Sequence, residues 1–272
     1  VMSNLTFNAP NIPEYHSAIS TGNNGKADFV EVSSCYFTYG TDSVGTSKSL
    51  IRTLMGRSSN NLWTEHAVFR NCTFYTDSPN YSWNYQITVG TTNYTLFDNC
   101  LFTTGSSSWL VNINGKIVNS QFRDVYGYNI YSPLISNTKI TEVSGSEWWS
   151  VYADSMVDSY LNTNQSINSS VTLYSASNSI VHWNSAITLL SKSGYWRYSW
   201  TTFFGDAISI SPTQDIEISS CSFQILGSNR IEFSWSQSYS ISACNFDSHL
   251  HIDEMWWYFE FSWCRAQRMF ID

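Results

Sequence analysis

Four charged residues in the middle of the chain have types and spacing that could support acid–base chemistry. Asp124 and Glu142 each stand two residues after an apolar position of a repeated pattern, and Arg123 and Lys139 lie close to them in sequence. If successive repeats stack in register, the two carboxyl groups lie about 5 Å apart on one flank. That separation is typical of the acid and the nucleophile of a retaining glycoside hydrolase. The alternative is a solvated corner of the repeat that carries these charges without catalysis.

The six cysteines occupy one equivalent position of the repeat, and more than one chemistry is open to them. Adjacent repeats would bring equivalent Cα atoms about 5 Å apart, which is within disulfide range. Side chains in register point the same way, so a stack of buried, unreactive thiols is favoured over disulfides such as Cys72–Cys100 or Cys221–Cys244. No Cys-x-x-Cys or Cys/His spacing supports a metal site. The stack is predicted to comprise Cys35, Cys72, Cys100, Cys221, Cys244 and Cys264, with Ser120, Thr138, Ser159 and Asn178 filling the same position between them.

Histidines and tryptophans suggest two further kinds of site. His249, His251 and Asp253 alternate along a predicted strand and therefore share one face, where they could hold a metal. We favour an ordinary surface strand and predict no metal centre. Tryptophans in excess of what a narrow core can hold would be exposed, where they could stack on sugar rings or mediate assembly. The leading candidates are Trp148, Trp149, Trp256 and Trp257. Further candidates are Trp196, Trp200, Trp235 and Trp263.

These residues are positioned by one short pattern that recurs along the chain: apolar, any, small polar, Cys, any, Phe. Phe69-Arg-Asn-Cys-Thr-Phe74 and Ile218-Ser-Ser-Cys-Ser-Phe223 are clear copies of it. The last apolar residue recurs at 37, 74, 102, 122, 140, 161, 180, about 203, 223, 246 and 266. A period near 20 residues with insertions is typical of a solenoid in which each repeat forms one coil. Within the repeat the alternation has a period of two, which indicates strands.

The polar residue before the cysteine position is most often Asn, which tolerates the left-handed backbone that a sharp corner needs. Stacked coils would place these side chains above one another, where their amides can form a hydrogen-bonded ladder. The predicted ladder comprises Asn71, Asn99, Asn119, Asn137 and Asp158, with Ser34 and Ser220 near its ends.

The pattern over residues 29–266 resembles the right-handed parallel β-helix of the pectate-lyase-like superfamily and of many surface adhesins and phage tailspikes. The resemblance implies an all-β, single-domain parallel β-helix of about ten coils, preceded by a cap at 1–28 and followed by a tail at 267–272. It also implies that a polysaccharide lyase or hydrolase of this fold would use charged residues on one flank, here Asp124, Glu142, Arg123 and Lys139. The Gly-His-Gly signature of polygalacturonases and the Asp-rich calcium pattern of pectate lyases are absent from the sequence, which favours a non-enzymatic protein.

The composition narrows the classes of protein and partner. Charged residues make up only 12% of the 272 residues and the net charge is −8, which argues against a nucleic-acid partner. Aromatic residues make up 17%, which excludes a disordered chain, and no apolar run reaches the roughly 18 residues of a membrane span. Ser, Thr and Asn take the place of charges, which favours an extracellular or cell-surface location for a mature, processed chain. Candidate glycosylation sites are Asn80, Asn93, Asn164 and Asn168.

Together these patterns predict an extracellular, self-associating structural or adhesive solenoid that is a subunit of a surface layer, sheath or fibre and needs no cofactor. One alternative is a polysaccharide lyase or hydrolase that works on the flank of Asp124 and Glu142. Another is a carbohydrate-binding β-helix that uses exposed tryptophans. The densely aromatic segment 255–263 is either a lid over the last coil or an assembly interface.

Overall fold

The chain folds as an all-β parallel β-solenoid with a coil period of about 21 residues. The computed structural model describes residues 2–8, 29–39, 66–76, 95–104, 113–125, 129–142, 149–163, 169–191, 196–211, 214–225, 229–233, 238–252 and 258–271. These residues form 29 strands and no helix. Their contacts divide into an N-terminal unit, Val1–Gly145, and a C-terminal unit, Ser146–Asp272.

The N-terminal unit contains short strands that alternate between two parallel sheets. One sheet has the order β1-β3-β5-β7-β10-β13, and the other includes the run β2-β4-β6-β8-β11-β14. The strands are β1 (Met2–Ser3), β2 (Thr6–Asn8), β3 (Phe29–Ser33), β4 (Tyr36–Tyr39), β5 (His66–Arg70), β6 (Thr73–Thr76), β7 (Thr95–Asp98), β8 (Leu101–Thr104), β9 (Ile113–Asn114), β10 (Lys116–Val118), β11 (Gln121–Val125), β12 (Asn129–Ser132), β13 (Ile135–Ser136) and β14 (Lys139–Glu142).

The C-terminal unit repeats this arrangement with longer strands that bend at bulges. Its first sheet has the order β16-β19-β21-β23-β26-β28, and β20, β22, β24, β27 and β29 pair in the second. The strands are β15 (Trp149–Ala153), β16 (Met156–Val157), β17 (Tyr160–Thr163), β18 (Ser169–Leu173), β19 (Ala176–Ser177), β20 (Ile180–Leu189), β21 (Trp196–Ser199), β22 (Thr202–Ile210), β23 (Ile216–Ser219), β24 (Ser222–Ile225), β25 (Ile231–Phe233), β26 (Ser238–Ser242), β27 (Asn245–Ile252), β28 (Tyr258–Ser262) and β29 (Arg265–Ile271).

The core is a set of stacked columns, because alternate residues of each strand point inward and parallel coils repeat in register. In the N-terminal unit Phe37, Phe74 and Phe102 are fully buried, and neighbouring ring centroids are 5.1 and 5.0 Å apart. In the C-terminal unit Phe223 lies 4.9 Å from Phe246 in the same way. These spacings match the rise of about 4.8 Å between paired strands. Burying each ring stabilises the fold by about 2–3 kcal/mol.

The coil count differs from the predicted ten. Among the described residues, each unit has six non-glycine corners with a positive φ. The first corner, at Asn4, lies inside the segment predicted to be a cap, and Met2 of β1 pairs in register with Val32 of β3. The first described coil therefore begins earlier than the sequence pattern indicated.

Candidate functional site

Each coil turns at two successive residues that we call the corner residue and the slot residue. The corner residue has the left-handed backbone: φ is 53° at Asn71, 54° at Asn99 and 51° at Asn119. Asn and Asp adopt this conformation more readily than other side chains, which accounts for their abundance here. The corner residues are Asn4, Ser34, Asn71, Asn99, Asn119 and Asn137 in the N-terminal unit, and Asp158, Asn178, Trp200, Ser220, Ala243 and Trp263 in the C-terminal unit.

The corner amides form an interrupted ladder. Asn99 Nδ2 donates to Asn71 Oδ1 at 2.7 Å, and Asn137 Nδ2 donates to Asn119 Oδ1 at 2.9 Å. Between these two pairs the ladder breaks, because Asn119 Nδ2 donates to Asp98 Oδ1 at 2.9 Å instead of bonding to Asn99. Asp98 also accepts a hydrogen bond from Arg70, so this carboxylate joins the corner to the adjacent outward face.

The slot residue forms a polar relay along the solenoid. Ser120 Oγ donates to the carbonyl of Val118 at 2.7 Å and accepts the N–H of Cys100 at 3.0 Å. The N–H of Ser120 in turn donates to Thr138 Oγ1 at 3.4 Å, and the N–H of Cys221 donates to Cys244 Sγ at 3.5 Å. A slot side chain must therefore be small, donate once and accept once, and Cys, Ser and Thr all meet this requirement.

One predicted slot residue is wrong. Asn178 is a corner residue with φ 47°, and Ser179 fills the slot, where its hydroxyl accepts the N–H of Ser159 at 3.1 Å. The sequence pattern places this slot one residue early because Ile180 has the apolar character of an inward position. In the structure Ile180 is exposed, and Val181 pairs with Leu161 in the core column.

All six cysteines are free, and five are buried. Their thiols donate to the carbonyl two residues earlier, as in Cys72 Sγ to Arg70 O at 3.3 Å and Cys244 Sγ to Ser242 O at 3.2 Å. The hydrogen bond between the Cys72 and Cys100 side chains raises the pKa of Cys100 and lowers the pKa of Cys72 to about 7, and burial raises the pKa of Cys264. The burial of five of the six thiols and their hydrogen bonds to backbone carbonyls favour a structural role.

The charged flank does not keep the simple register on which its predicted chemistry depended. In β11 and β14, Gln121 pairs with Lys139, but the register then shifts so that Glu142 lies opposite Val125. The Cα of Glu142 is therefore not paired with that of Asp124, and the side chains of both carboxylates lie outside the described set. Arg123 and Lys139 are exposed, and a catalytic role for these four residues stays a prediction.

The histidine strand borders an open groove in the C-terminal unit. His249 and His251 lie on β27, whereas Asp253 lies outside the described residues. Among the residues that are described, no group of three His, Cys, Asp or Glu side chains could hold a metal ion. The groove, about 530 Å³ in volume, has Ala186 and Ala207 in its lining and also includes Arg230, whose Nε lies 2.8 Å from Glu232 Oε1.

Several predicted surface residues fall outside the part of the chain that the structure describes. They include three of the four leading tryptophans and all four candidate glycosylation sites: Trp148, Trp256, Trp257, Asn80, Asn93, Asn164 and Asn168. Trp149 begins β15, and only its backbone is described.

Two other tryptophans stand out in the C-terminal unit. The side chains of Trp200 and Trp263 are 71% and 93% exposed, and both are corner residues, with φ 52° and 57°. Sequence reasoning counted them in the aromatic surplus but did not single them out. The available signal was their position directly before Thr201 and Cys264, where the repeat places a corner.

These two residues define a surface that we call the corner ridge, formed by Trp200, Ser220, Ala243 and Trp263. The four residues follow one another on successive coils, as shown by hydrogen bonds from Trp200 N to Ser219 O, Ser220 N to Ser242 O and Ala243 N to Ser262 O. Three coil steps separate the tryptophans, or about 14 Å at the usual strand spacing. The ridge is flanked on one side by Ser199, Ser219, Ser242 and Ser262, and on the other by Thr202, Ser222, Asn245 and Arg265.

No protein-family model, curated protein or solved structure matches the chain. The strand pairing shows a parallel β-solenoid, whereas membership of the pectate-lyase-like superfamily stays a prediction. The described residues include no helix that is long and apolar enough to cross a membrane.

Proposed function

We propose that the protein is a non-enzymatic extracellular solenoid that serves as a structural or adhesive subunit of a cell-surface layer, sheath or fibre. One observation supports the structural part most strongly: core columns become exposed in the first and last described coils. Met2 is 40% exposed although its partner Val32 is fully buried, and Met269 is 39% exposed although its partner Leu250 is fully buried. Apolar positions of this kind favour contact with a further layer of strands.

The backbone of these end coils points to the same conclusion. Among the described strands, β1 pairs only with β3, and β28 pairs only with β26. An exposed strand edge is a template for pairing with another chain. In a parallel solenoid the two edges differ, so the first coil of one copy would pair with the last coil of another. Such a head-to-tail contact does not close on itself unless the rotation between copies forms a ring, and it therefore favours an open polymer.

The extracellular placement is supported by the composition. Only 12% of the residues are charged, and the described corner residues are mostly Asn and Ser. The polysaccharide-processing alternative depends on Asp124 and Glu142, whose Cα atoms are not paired because the register shifts between their strands.

A charge placed on either end coil tests the proposal. Leu5→Lys and Met269→Lys each put an ammonium on an exposed apolar position at one end, whereas Ile180→Lys changes a comparably exposed residue, 42%, away from both ends. We expect the wild type and Ile180→Lys to sediment as polymers and both end variants to sediment as smaller species. Equal polymer formation by all four proteins, with circular dichroism unchanged, would contradict assembly through these edges.

A further inference from the structure

We propose that the corner ridge of the C-terminal unit binds a neutral polysaccharide, with the rings of Trp200 and Trp263 stacking on two of its sugar rings. This inference rests on the adhesive part of the proposed function and names the class of ligand. Its first support is conformational. A bulky side chain in the left-handed region costs about 1–2 kcal/mol, and the ridge contains two such residues.

Burial does not offset that cost. Trp200 and Trp263 are 71% and 93% exposed, so neither ring contributes much to the core. At the same position in the repeat, Asn99, Asn119 and Asn178 make side-chain hydrogen bonds and tolerate the left-handed backbone. The stability of the coil thus favours Asn at this position. Strained and exposed tryptophans are better explained by contact with a ligand, since such strain clusters at functional sites.

Along the ridge, two exposed indole rings are separated by two corners that carry small side chains. Ser220 and Ala243 occupy the two intervening corners, and neither side chain is large enough to reach the height of an indole ring. A ligand that contacts both rings must therefore extend for about 14 Å along the direction in which the coils stack. An extended chain of linked sugars meets this requirement, whereas a single small molecule does not.

The sides of the ridge favour sugars over other extended ligands. Ser219, Ser242 and Ser262 follow one another at the coil spacing on one side, and Thr202 and Ser222 do so on the other. A sugar ring has an apolar C–H face that stacks on an indole and hydroxyls at its edge that exchange hydrogen bonds with side-chain hydroxyls. The two flanking rows match this combination.

The charges beside the ridge favour a neutral glycan. Arg197 and Glu217 lie in the next outward column and pair with each other, with Arg197 Nη2 3.1 Å from Glu217 Oε1. Arg265 is the cation of the two flanking rows, which otherwise consist of hydroxyl and amide side chains. An acidic polysaccharide would need several unpaired cations along its length, and these rows do not provide them.

Binding of the 272-residue chain to insoluble glycans tests the inference. The probes are cellulose, chitin and mannan, with pectate gel as the acidic comparison. Trp200→Asn and Trp263→Asn install the residue that the corner prefers, so the fold is retained, and Tyr131→Asn removes an exposed aromatic from the N-terminal unit as the matched control. We expect each tryptophan variant to weaken binding to a neutral glycan about tenfold, which is a reasonable loss for one stacked ring, and the double variant to abolish it.

The outcomes separate this inference from the proposed function. Loss of glycan binding in the two tryptophan variants, with polymer size unchanged and Tyr131→Asn unaffected, supports the ridge. If the wild-type protein polymerises but binds none of the neutral glycans, glycan binding by the corner ridge is refuted and the structural proposal stands. Loss of polymer in Trp200→Asn without any glycan binding by the wild type would identify a contact between copies of the chain, and would also overturn the inference.

Discussion

The backbone N–H of Cys100 donates to Ser120 Oγ across neighbouring coils at 3.0 Å, and this bond explains why cysteine, serine and threonine share one position of the repeat. The N–H is buried, so it needs a partner within the protein. The side chain of the next coil provides that partner and also donates to the carbonyl of Val118 in its own coil. The column thus stabilises the stacking of neighbouring coils.

Replacing Ser120 tests this relay. Ser120→Ala should lower the free energy of unfolding by about 1–3 kcal/mol, because the N–H of Cys100 is left buried without a partner. Ser120→Cys should cost less than Ser120→Ala, since the thiol donates and accepts at the same position. Chemical denaturation measures both changes, and Ser136→Ala, on the outward face of the next coil, is the control. Equal losses for Ala and Cys would contradict the relay.

Substitutions of Asn99 test how much the left-handed backbone of the corner residue contributes to stability. Asn99→Ala should lower the free energy of unfolding by about 1–2 kcal/mol, because alanine disfavours φ 54° and the bond to Asn71 Oδ1 is lost. Asn99→Gly should cost less, since glycine adopts positive φ without steric cost. A glycine variant less stable than the alanine variant would show that the backbone conformation is not the main contribution.

Substitution of Trp200 by glycine should raise the free energy of unfolding, whereas the substitutions of Asn99 should lower it. Trp200→Gly relieves the strain at φ 52° and removes a mostly exposed ring, so the free energy of unfolding should rise by up to about 1 kcal/mol. Thermal melting of this variant, measured beside Ser220→Gly as a corner without an aromatic ring, provides the comparison. A lower melting temperature for Trp200→Gly alone would show that the indole stabilises the coil and would weaken the case for a ligand.

The thiols should be free and slow to react. Alkylation of the denatured, unreduced protein should modify all six cysteines, whereas a mass lower by two hydrogens, with Cys72 and Cys100 protected, would reveal a disulfide. In the native protein Cys264 should react first, because it is the half-buried member of the set. Burial raises the pKa of Cys264, so its labelling rate should keep rising as the pH passes the ordinary thiol pKa of about 8.5. A rate already constant below that pH would contradict the raised pKa.

The fold was predictable from the sequence because the residues that point into the core recur with a regular spacing. Phe74, Phe102 and Phe122 recur with cysteine or serine two residues earlier, and that spacing alone indicates stacked strands. The left-handed corners were predictable as well, since Asn that recurs at one position of a repeat is typical of a backbone with positive φ. The predicted register is wrong at Ile180, where an exposed apolar residue imitates a core position.

The candidate site was harder to predict, because it depends on deviations from the repeat. The shift between Phe122 and Val125 changes the partner of Glu142, and a bulge of this kind leaves no mark in residue spacing. The sequence pattern did not identify Trp200 as a corner residue for a related reason. A bulky residue replaces the expected Asn there, so the repeat blurs at the position where the structure presents an exposed ring.

Sedimentation velocity of the wild-type protein across a range of concentrations tests most directly whether the end coils of different copies pair into an open polymer. We expect a sedimentation coefficient that increases with concentration, together with particles of variable length and constant width in electron micrographs. A single sedimenting species with the mass of one 31.0 kDa chain at every concentration would contradict this pairing.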